Sequence, residues 1–235
     1  MEIRAIGFDL GNTLIDYPTP INWESEYDSA LREAAMSVGI AAESEKLRVG
    51  AEILTKYNTR RNPREREVTA SAIFTEILQA WGESVEMLSN VKRVFFDHFQ
   101  RDVAPYEDVG WVLKAIRDKG IKVGVLTDVP YGSEDELSLR DLLPIREYVN
   151  VTLTSVAVGF RKPCREGYLH LSEELGVSPE EMLFVGDEEK DVKGAKNAGI
   201  RSVLICRKGT PRPWGQDYTI VSMGQIFDVI ARIGK

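Results

Sequence analysis

The sequence predicts an α/β protein: a doubly wound parallel sheet, interrupted near its start by an all-helical insert. Three observations carry this prediction. Short apolar runs recur after residue 102, each followed by a stretch with helical periodicity. One more such run stands by itself at Ile3 to Phe8. Between them, from about Asn22 to Asp102, the periodicity is helical throughout.

Taken in order, Ile3 to Phe8 reads as a buried strand ended by Asp9-Leu10-Gly11-Asn12. In the insert, Tyr27, Leu31, Ala34 and Val38 keep one helical face, and Gly39 can stop it. Leu47, Ile53, Leu54 and Tyr57 mark a second helix. Ile73, Ile77, Leu78 and Trp81 mark a third, and Leu88, Val91, Phe95 and Phe99 a fourth. A polar, basic loop from Asn58 to Arg66 separates the second and third, with Arg60, Arg61, Arg64 and Arg66 on it. It reads as solvated surface, with anion recognition as the sharper alternative.

After Asp102, Val109, Val112, Leu113 and Ile116 form a helix face. Strands follow at Lys122–Leu126, Val149–Leu153, Met182–Val185 and Ser202–Ile205. Helices carrying Tyr168, Leu171 and Leu175, then Val192 and Ala195, lie between them. Met223, Ile226, Phe227 and Ile230 form a last amphipathic helix. Such alternation implies a Rossmann-like core at 1–17 and 103–235 and a helical domain at 18–102. Val103-Ala104-Pro105 reads as part of a hinge, because Pro105 disfavours helix at Ala104. An insert placed directly after the first strand can act as a lid over the strand ends, where ligands of such sheets bind.

Bulk properties narrow the function. The 235 residues carry a formal net charge of -7, with 43% apolar and 29% charged residues. An acidic balance argues against nucleic acid and anionic membranes as partners, but leaves room for a small anionic substrate. No apolar run approaches the ~20 residues that span a bilayer. No signal-peptide pattern opens the chain. Cys164 and Cys206 lack metal-ligand spacing and read as reduced thiols, so a cytoplasmic setting is expected. Composition says nothing about oligomeric state. His98 and His170 read as packing or surface residues.

Polar residues punctuate the strand ends. Asp9 follows the first strand, Thr127-Asp128 the second, and Gly186-Asp187 the Met182–Val185 strand. Each alone fits a turn or a helix cap. Asp187 and Asp191 stand four residues apart on one side of a helical turn, and such pairs repel unless a cation lies between them. Together with Arg161-Lys162-Pro163 they form one chemical set: an acid, a hydroxyl, a lysine and paired acids.

That set resembles the haloacid dehalogenase superfamily, in its subfamily with a helical (type C1) cap. Phe8-Asp9-Leu10-Gly11-Asn12-Thr13-Leu14 is similar to its first motif, and Val125-Leu126-Thr127 to its second. Val158-Gly159-Phe160-Arg161-Lys162-Pro163 is similar to its third, and Phe184-Val185-Gly186-Asp187 with Asp191 to its fourth. The resemblance implies a magnesium-dependent hydrolase, in first place a phosphatase acting on a small phosphorylated metabolite. Asp9 would be the nucleophile, with Thr127, Asp128 and Lys162 binding the transferring group. Asp9, the Gly11 carbonyl and Asp187 would hold Mg2+, with Asp191 orienting them.

One departure stands out. Most phosphatases of the superfamily carry a second aspartate, a general acid, where this chain has Gly11. Its loss is worth roughly 10²- to 10⁴-fold in rate. A cap carboxylate such as Glu24 or Asp28 is one alternative donor. Hydrolysis at carbon, as in dehalogenation, and a weakly catalytic binding or regulatory protein are the alternative functions.

Overall fold

A computed structural model describes residues 2–19, 21–134 and 139–234. Six strands form one parallel sheet: β1 (Ala5–Phe8), β4 (Lys122–Thr127), β5 (Val151–Thr154), β6 (Met182–Gly186), β7 (Arg201–Ile205) and β8 (Tyr218–Ile220). Their spatial order is β5-β4-β1-β6-β7-β8. Order reverses between β1 and β6, so the crevice outside the carboxyl ends of those two strands is the topological switch point. Ile6 pairs in register with Val123 on one side and Leu183 on the other.

The alternation along β1 explains both faces. Ile6 and Phe8 join one buried cluster with Val112, Leu113 and Ile116 of α5 (Val109–Asp118) and with Ile226 and Val229 of the last helix. Ala5 joins the opposite cluster with Tyr168, Leu171, Phe184 and Ala195. Gly7 faces that side too. A Cβ there would lie 2.8 Å from Phe184 Cδ2 and 2.9 Å from Leu171 Cδ2, so only glycine lets the covering helix approach this closely.

The fold class read from the sequence holds, as do the strands and helices named for it. Several short elements escape that reading. Ile15–Asp16 (β2) pairs antiparallel with Ala104–Pro105 (β3), so the segment expected as a hinge is a short ribbon. β8 has three residues, one of them the exposed Thr219, and carries no apolar run to announce it. Leu139–Tyr148 winds as a 3-10 run containing Pro144, which removes a backbone donor from any regular helix there.

The chain divides into two compact units. One comprises Met1–Tyr17, Val103–Asp128 and Leu139–Lys235; the other comprises Pro18–Asp102 and Val129–Ser138. The second unit contains α1 (Trp23–Ser37), α2 (Ser44–Tyr57), α3 (Ala70–Ala80) and α4 (Leu88–His98). Asn22 and Thr69 cap α1 and α3 with their side chains. Its core is aromatic: Trp23 stacks on Phe99 with centroids 3.9 Å apart, and Phe95 meets Phe74 edge-on.

The sequence reading places residues 129–134 in the α/β domain, whereas in the structure they group with the helical unit. Tyr131 explains the change. It is buried, and its ring packs against Trp23 and edge-on to Tyr27. Gly132 passes so near Val68 that a Cβ would fall 1.9 Å from the Val68 carbonyl oxygen. A periodicity argument sees only a loop here, because one anchoring aromatic and one glycine have no period.

Candidate active site

The site is built at the switch point. Asp9 follows β1 directly, and its backbone N–H donates to the Val185 carbonyl at 2.9 Å, which ties it to the end of β6. Gly186 ends β6 and leads into Asp187. A Cβ on Gly186 would come 2.4 Å from Asp191 Cγ, so glycine is required for the next helix, Glu189–Asn197, to begin this close to the strand. Asp191 and Glu188 cap that helix reciprocally, and Asp191 Oδ2 accepts from the Glu188 N–H at 3.0 Å.

Lys162 joins these acids. Thr154 caps the short helix Ser155–Val158, and Gly159 ends it at φ +80°. The chain then turns Lys162 inward. Its Nζ lies 2.5 Å from Asp9 Oδ1 and 2.6 Å from Asp191 Oδ1, with only 2% of the side chain exposed. Burial works against its charge, but Asp191 and Asp9 outweigh burial and hold the ammonium well above the ordinary lysine range. Tyr168 backs this pair from below, donating to the Lys190 carbonyl at 3.2 Å.

The third acid, Asp187, accepts from Thr13 Oγ1 at 3.2 Å. Asp9, Asp187 and Asp191 each offer a carboxylate oxygen, and these oxygens lie within 4.8 Å of one another. Lys162 pairs with two of these three acids, Asp9 and Asp191. Burial, with Asp9 and Asp191 nearby, pushes the Asp187 carboxyl up to about 7. Burial likewise raises Asp191 to about 6, against the pull of Lys162.

Thr127 ends β4, two strand positions in space from Asp187 and next to β1. Asp128 follows it. Its Oδ1 accepts from the Lys162 backbone N–H at 3.1 Å, and Lys190 Nζ approaches its Oδ2 at 3.3 Å. Burial opposes ionisation of Asp128, yet Lys162, Lys190 and Arg161 hold its carboxyl below the usual range. The Asp128 side chain therefore fixes the Lys162 segment.

Asp9, Asp128, Lys162, Asp187 and Asp191, all singled out in the sequence, thus meet at the ends of β1, β4 and β6. The sequence reading passed over several participants. Thr13 lies inside the first quoted motif, and Lys190 falls between Asp187 and Asp191 of the fourth. Tyr168 and Tyr17 lie outside them, and no spacing gives them away. The Tyr17 ring lies beside Gly11: a Cβ on Gly11 would sit 3.1 Å from Tyr17 Cε2 and 3.6 Å from its hydroxyl. That hydroxyl donates to Asp141 Oδ2 at 3.2 Å. Burial, then Asp141 and Asp9, raise Tyr17 far above the ordinary phenol range, so it stays protonated.

With this geometry in view, the match to known proteins is direct. A family model described as haloacid dehalogenase-like hydrolase matches residues 3–199. The chain belongs to that family. Escherichia coli (strain K12) phosphoglycolate phosphatase is 28% identical over 214 residues, covering 86% of this chain and 81% of that protein. Glyceraldehyde 3-phosphate phosphatase of Methanopyrus kandleri is 28% identical over 246 positions, covering 99% of both. Among solved structures, 2-haloacid dehalogenase from Pseudomonas syringae pv. Tomato DC3000 has a TM-score of 0.69 at 21% identity, covering 98% of this chain and 99% of that one. A HAD phosphatase from Thermococcus onnurineus has a TM-score of 0.61 at 23% identity, covering 97% and 98%. The structural likenesses establish the fold; the family model makes the chain a haloacid dehalogenase-like hydrolase, and the two relatives named are phosphatases.

The remaining singled-out residues are occupied elsewhere. His98 lies between Glu33, at 3.0 Å, and Glu26, at 3.2 Å. His170 is exposed, and both cysteines are free thiols. Arg61 grips Glu24 through two nitrogens, each 2.5 Å from a carboxylate oxygen. Arg64 donates to the Tyr57 carbonyl and pairs with Glu67. Among the described residues, no helix is long and apolar enough to cross a membrane.

Proposed function

We propose that the chain is a magnesium-dependent phosphohydrolase of a small phosphorylated metabolite, with Asp9 as nucleophile. The observation that carries this is the convergence of Asp9, Asp187 and Asp191 at the switch point, with the buried Lys162 pairing two of them, Asp9 and Asp191. The donor set fits the metal. Asp9, Asp187 and the Gly11 carbonyl offer oxygen only, as Mg2+ prefers, and the crowding that lifts Asp187 to about 7 is what a divalent cation would relieve. When bound, the ion would neutralise charge on the transferring oxygens.

The chain's own residues supply the rest. An Asp9 carboxylate oxygen attacks phosphorus, the bond to the leaving oxygen breaks, and an aspartyl phosphate forms. Water then attacks that phosphorus, releasing phosphate and restoring Asp9. Lys162 balances the charge of Asp9 before attack and of the phosphoryl oxygens after it. Thr127 and the Asp128 N–H hydrogen-bond one of those oxygens. Asp191 has both oxygens occupied, by Lys162 and by the Glu188 N–H, so it orients Lys162. The two cap carboxylates offered by the sequence as alternative donors are both engaged. Glu24 is an unsuitable substitute, because hydrogen bonding from Arg61 holds its carboxyl below the usual range. Asp28 is paired with Arg32 at 3.1 Å. Leaving groups stable as anions therefore suit this enzyme best. The free thiols support a reducing, cytoplasmic setting.

The test is phosphate release from aryl, acyl and sugar phosphates with magnesium and with chelator, beside Asp9→Asn. Metal-dependent release that Asp9→Asn abolishes is expected. Gly11 keeps hydrolysis at carbon as a second reading. Halide release from 2-haloacids, without phosphate release from any ester, would replace the proposal with it. Ligand binding without turnover of either class would leave a binding protein.

A further inference from the structure

Beyond β7 the chain does not turn at once into a helix. Residues 206–217 make an excursion with glycines at positive φ, Gly209 and Gly215, and with Pro211 and Pro213. The excursion is held in place. Cys206 N–H donates to the Ile220 carbonyl at 2.8 Å, and Lys196 Nζ donates to the Gly215 carbonyl at 2.7 Å. The Arg212 carbonyl accepts from the Trp214 N–H at 3.0 Å and from Gln216 Nε2 at 3.1 Å.

Under it lies a cavity of about 270 Å³. Asp187 of the acid cluster and Asn12 line it, together with Arg207, Lys208, Arg212 and Trp214. Its charge contrasts with the whole protein, whose net charge is -7. Arg207 is built in: it donates to the Thr13 carbonyl at 2.9 and 3.0 Å, pairs with Asp108 at 2.9 Å, and stacks 3.8 Å from the Tyr106 ring centre. Lys208 is 79% exposed, with Asp16 no nearer than 3.5 Å. Arg212 is exposed, and among the described residues no carboxylate pairs with it.

We infer that this cavity is a second binding site for the part of the substrate that is not transferred, and that it takes an anionic group, carboxylate or phosphate, on a short carbon chain. The inference rests on the hydrolase reading of Asp9. Three facts point to it. The cavity shares Asp187 with the acid cluster, so a leaving group can run from the reacting centre into it. Three of its lining residues are cationic, with Arg207 held in place by Thr13 and Asp108 and Arg212 without a carboxylate partner among the described residues. Its volume falls just under the ~300–1,000 Å³ of sites for larger ligands, which favours a small chain with a charged head over a nucleoside. Trp214 gives that chain an apolar surface. A charge-assisted Arg–anion hydrogen bond is worth roughly tenfold in affinity.

The experiment is a binding comparison by calorimetry on the full chain with magnesium, needing no turnover. Propylphosphonate carries one anionic group. 3-Phosphonopropanoate adds a carboxylate, and propane-1,3-bisphosphonate adds a phosphonate. The expected result is that one of the two doubly anionic probes binds about tenfold tighter than propylphosphonate; which one says whether carboxylate or phosphate is preferred. In Arg212→Ala that ratio falls toward one, and in Arg212→Glu it falls further. Equal affinity of all three probes for the natural chain overturns the inference. So does an unchanged ratio in Arg212→Glu, which would place the second anion elsewhere. Failure of the hydrolase reading looks different: no phosphate released from any ester, whatever the binding ratio.

Discussion

Replacing Lys162 by Met tests the electrostatics of the site without emptying it, since Met fills nearly the same volume. The ammonium lies 2.5 Å from Asp9 and 2.6 Å from Asp191, and the three side chains are 2%, 11% and 1% exposed. Without it, three carboxylates crowd within 4.8 Å. Breaking a buried pair by removing one partner costs about 3–5 kcal/mol, because the charges left behind are uncompensated. For a chain of this size that is a fall in Tm of about 6–20 °C. The loss depends on pH. Asp191 already titrates near 6 with Lys162 present, and removing the cation raises it further. A carboxyl raised on folding contributes its full stability below the ordinary carboxylate range and loses it as pH rises through the folded value. The gap between variant and natural protein should thus be small at pH 4.5 and full by pH 8. Calorimetric melting at both pH values, with chelator present, measures it. A gap under ~1 kcal/mol at pH 8, or one equal at both pH values, would refute the charge-balance argument.

Other perturbations probe neighbouring claims. Asp187→Asn should raise the Tm of the metal-free protein at pH 8, by on the order of 2 kcal/mol in stability after discounting for residual exposure, and should change little at pH 4.5, where the carboxyl raised to about 7 is already neutral. The same variant should abolish any stabilisation by added magnesium, read as a shift of Tm with metal concentration. Gly186→Ala should cost about 1–3 kcal/mol by overpacking and should lower kcat, because its Cβ would lie 2.4 Å from Asp191 Cγ; a variant that melts and turns over like the natural chain would show that Asp191 is free to move. Gly11→Asp should raise kcat on poor leaving groups, yet by less than the ~10²-fold a well-placed acid can give, since Tyr17 Cε2 stands 3.1 Å from the new Cβ. Adding Tyr17→Leu should recover more of that gain, and a leaving-group series measures both.

Legibility in the sequence followed the kind of interaction. Strands β1, β4, β6 and β7 are buried on both faces over most of their length, so each wrote itself as an apolar run, and the residues just after β1, β4 and β6 were found because strand ends are where such sheets place chemistry. Asp9, Asp187 and Asp191 could therefore be grouped before any contact was known. Tyr131 could not be assigned to the helical unit, because its burial against Trp23 and Tyr27 depends on one side chain and not on a period. β8 was missed for a related reason: its three residues owe their place to pairing with β7 and not to their own pattern.

Gly11 shows how the two kinds of information combine. The sequence reveals that an acid is missing there but cannot say what occupies the space. Tyr17 fills it, six positions later and held by Asp141, whose place in the chain is remote from both. A phenol that stays protonated and already donates to a carboxylate is a poor proton source for a departing alkoxide. The glycine and the tyrosine therefore form one arrangement: the side chain that would donate the proton is absent, and the ring that replaces it closes the gap against a bulkier residue. If the chain acts as proposed, its leaving group would have to stabilise its own negative charge, and the cavity beyond β7 would serve to position it while it leaves.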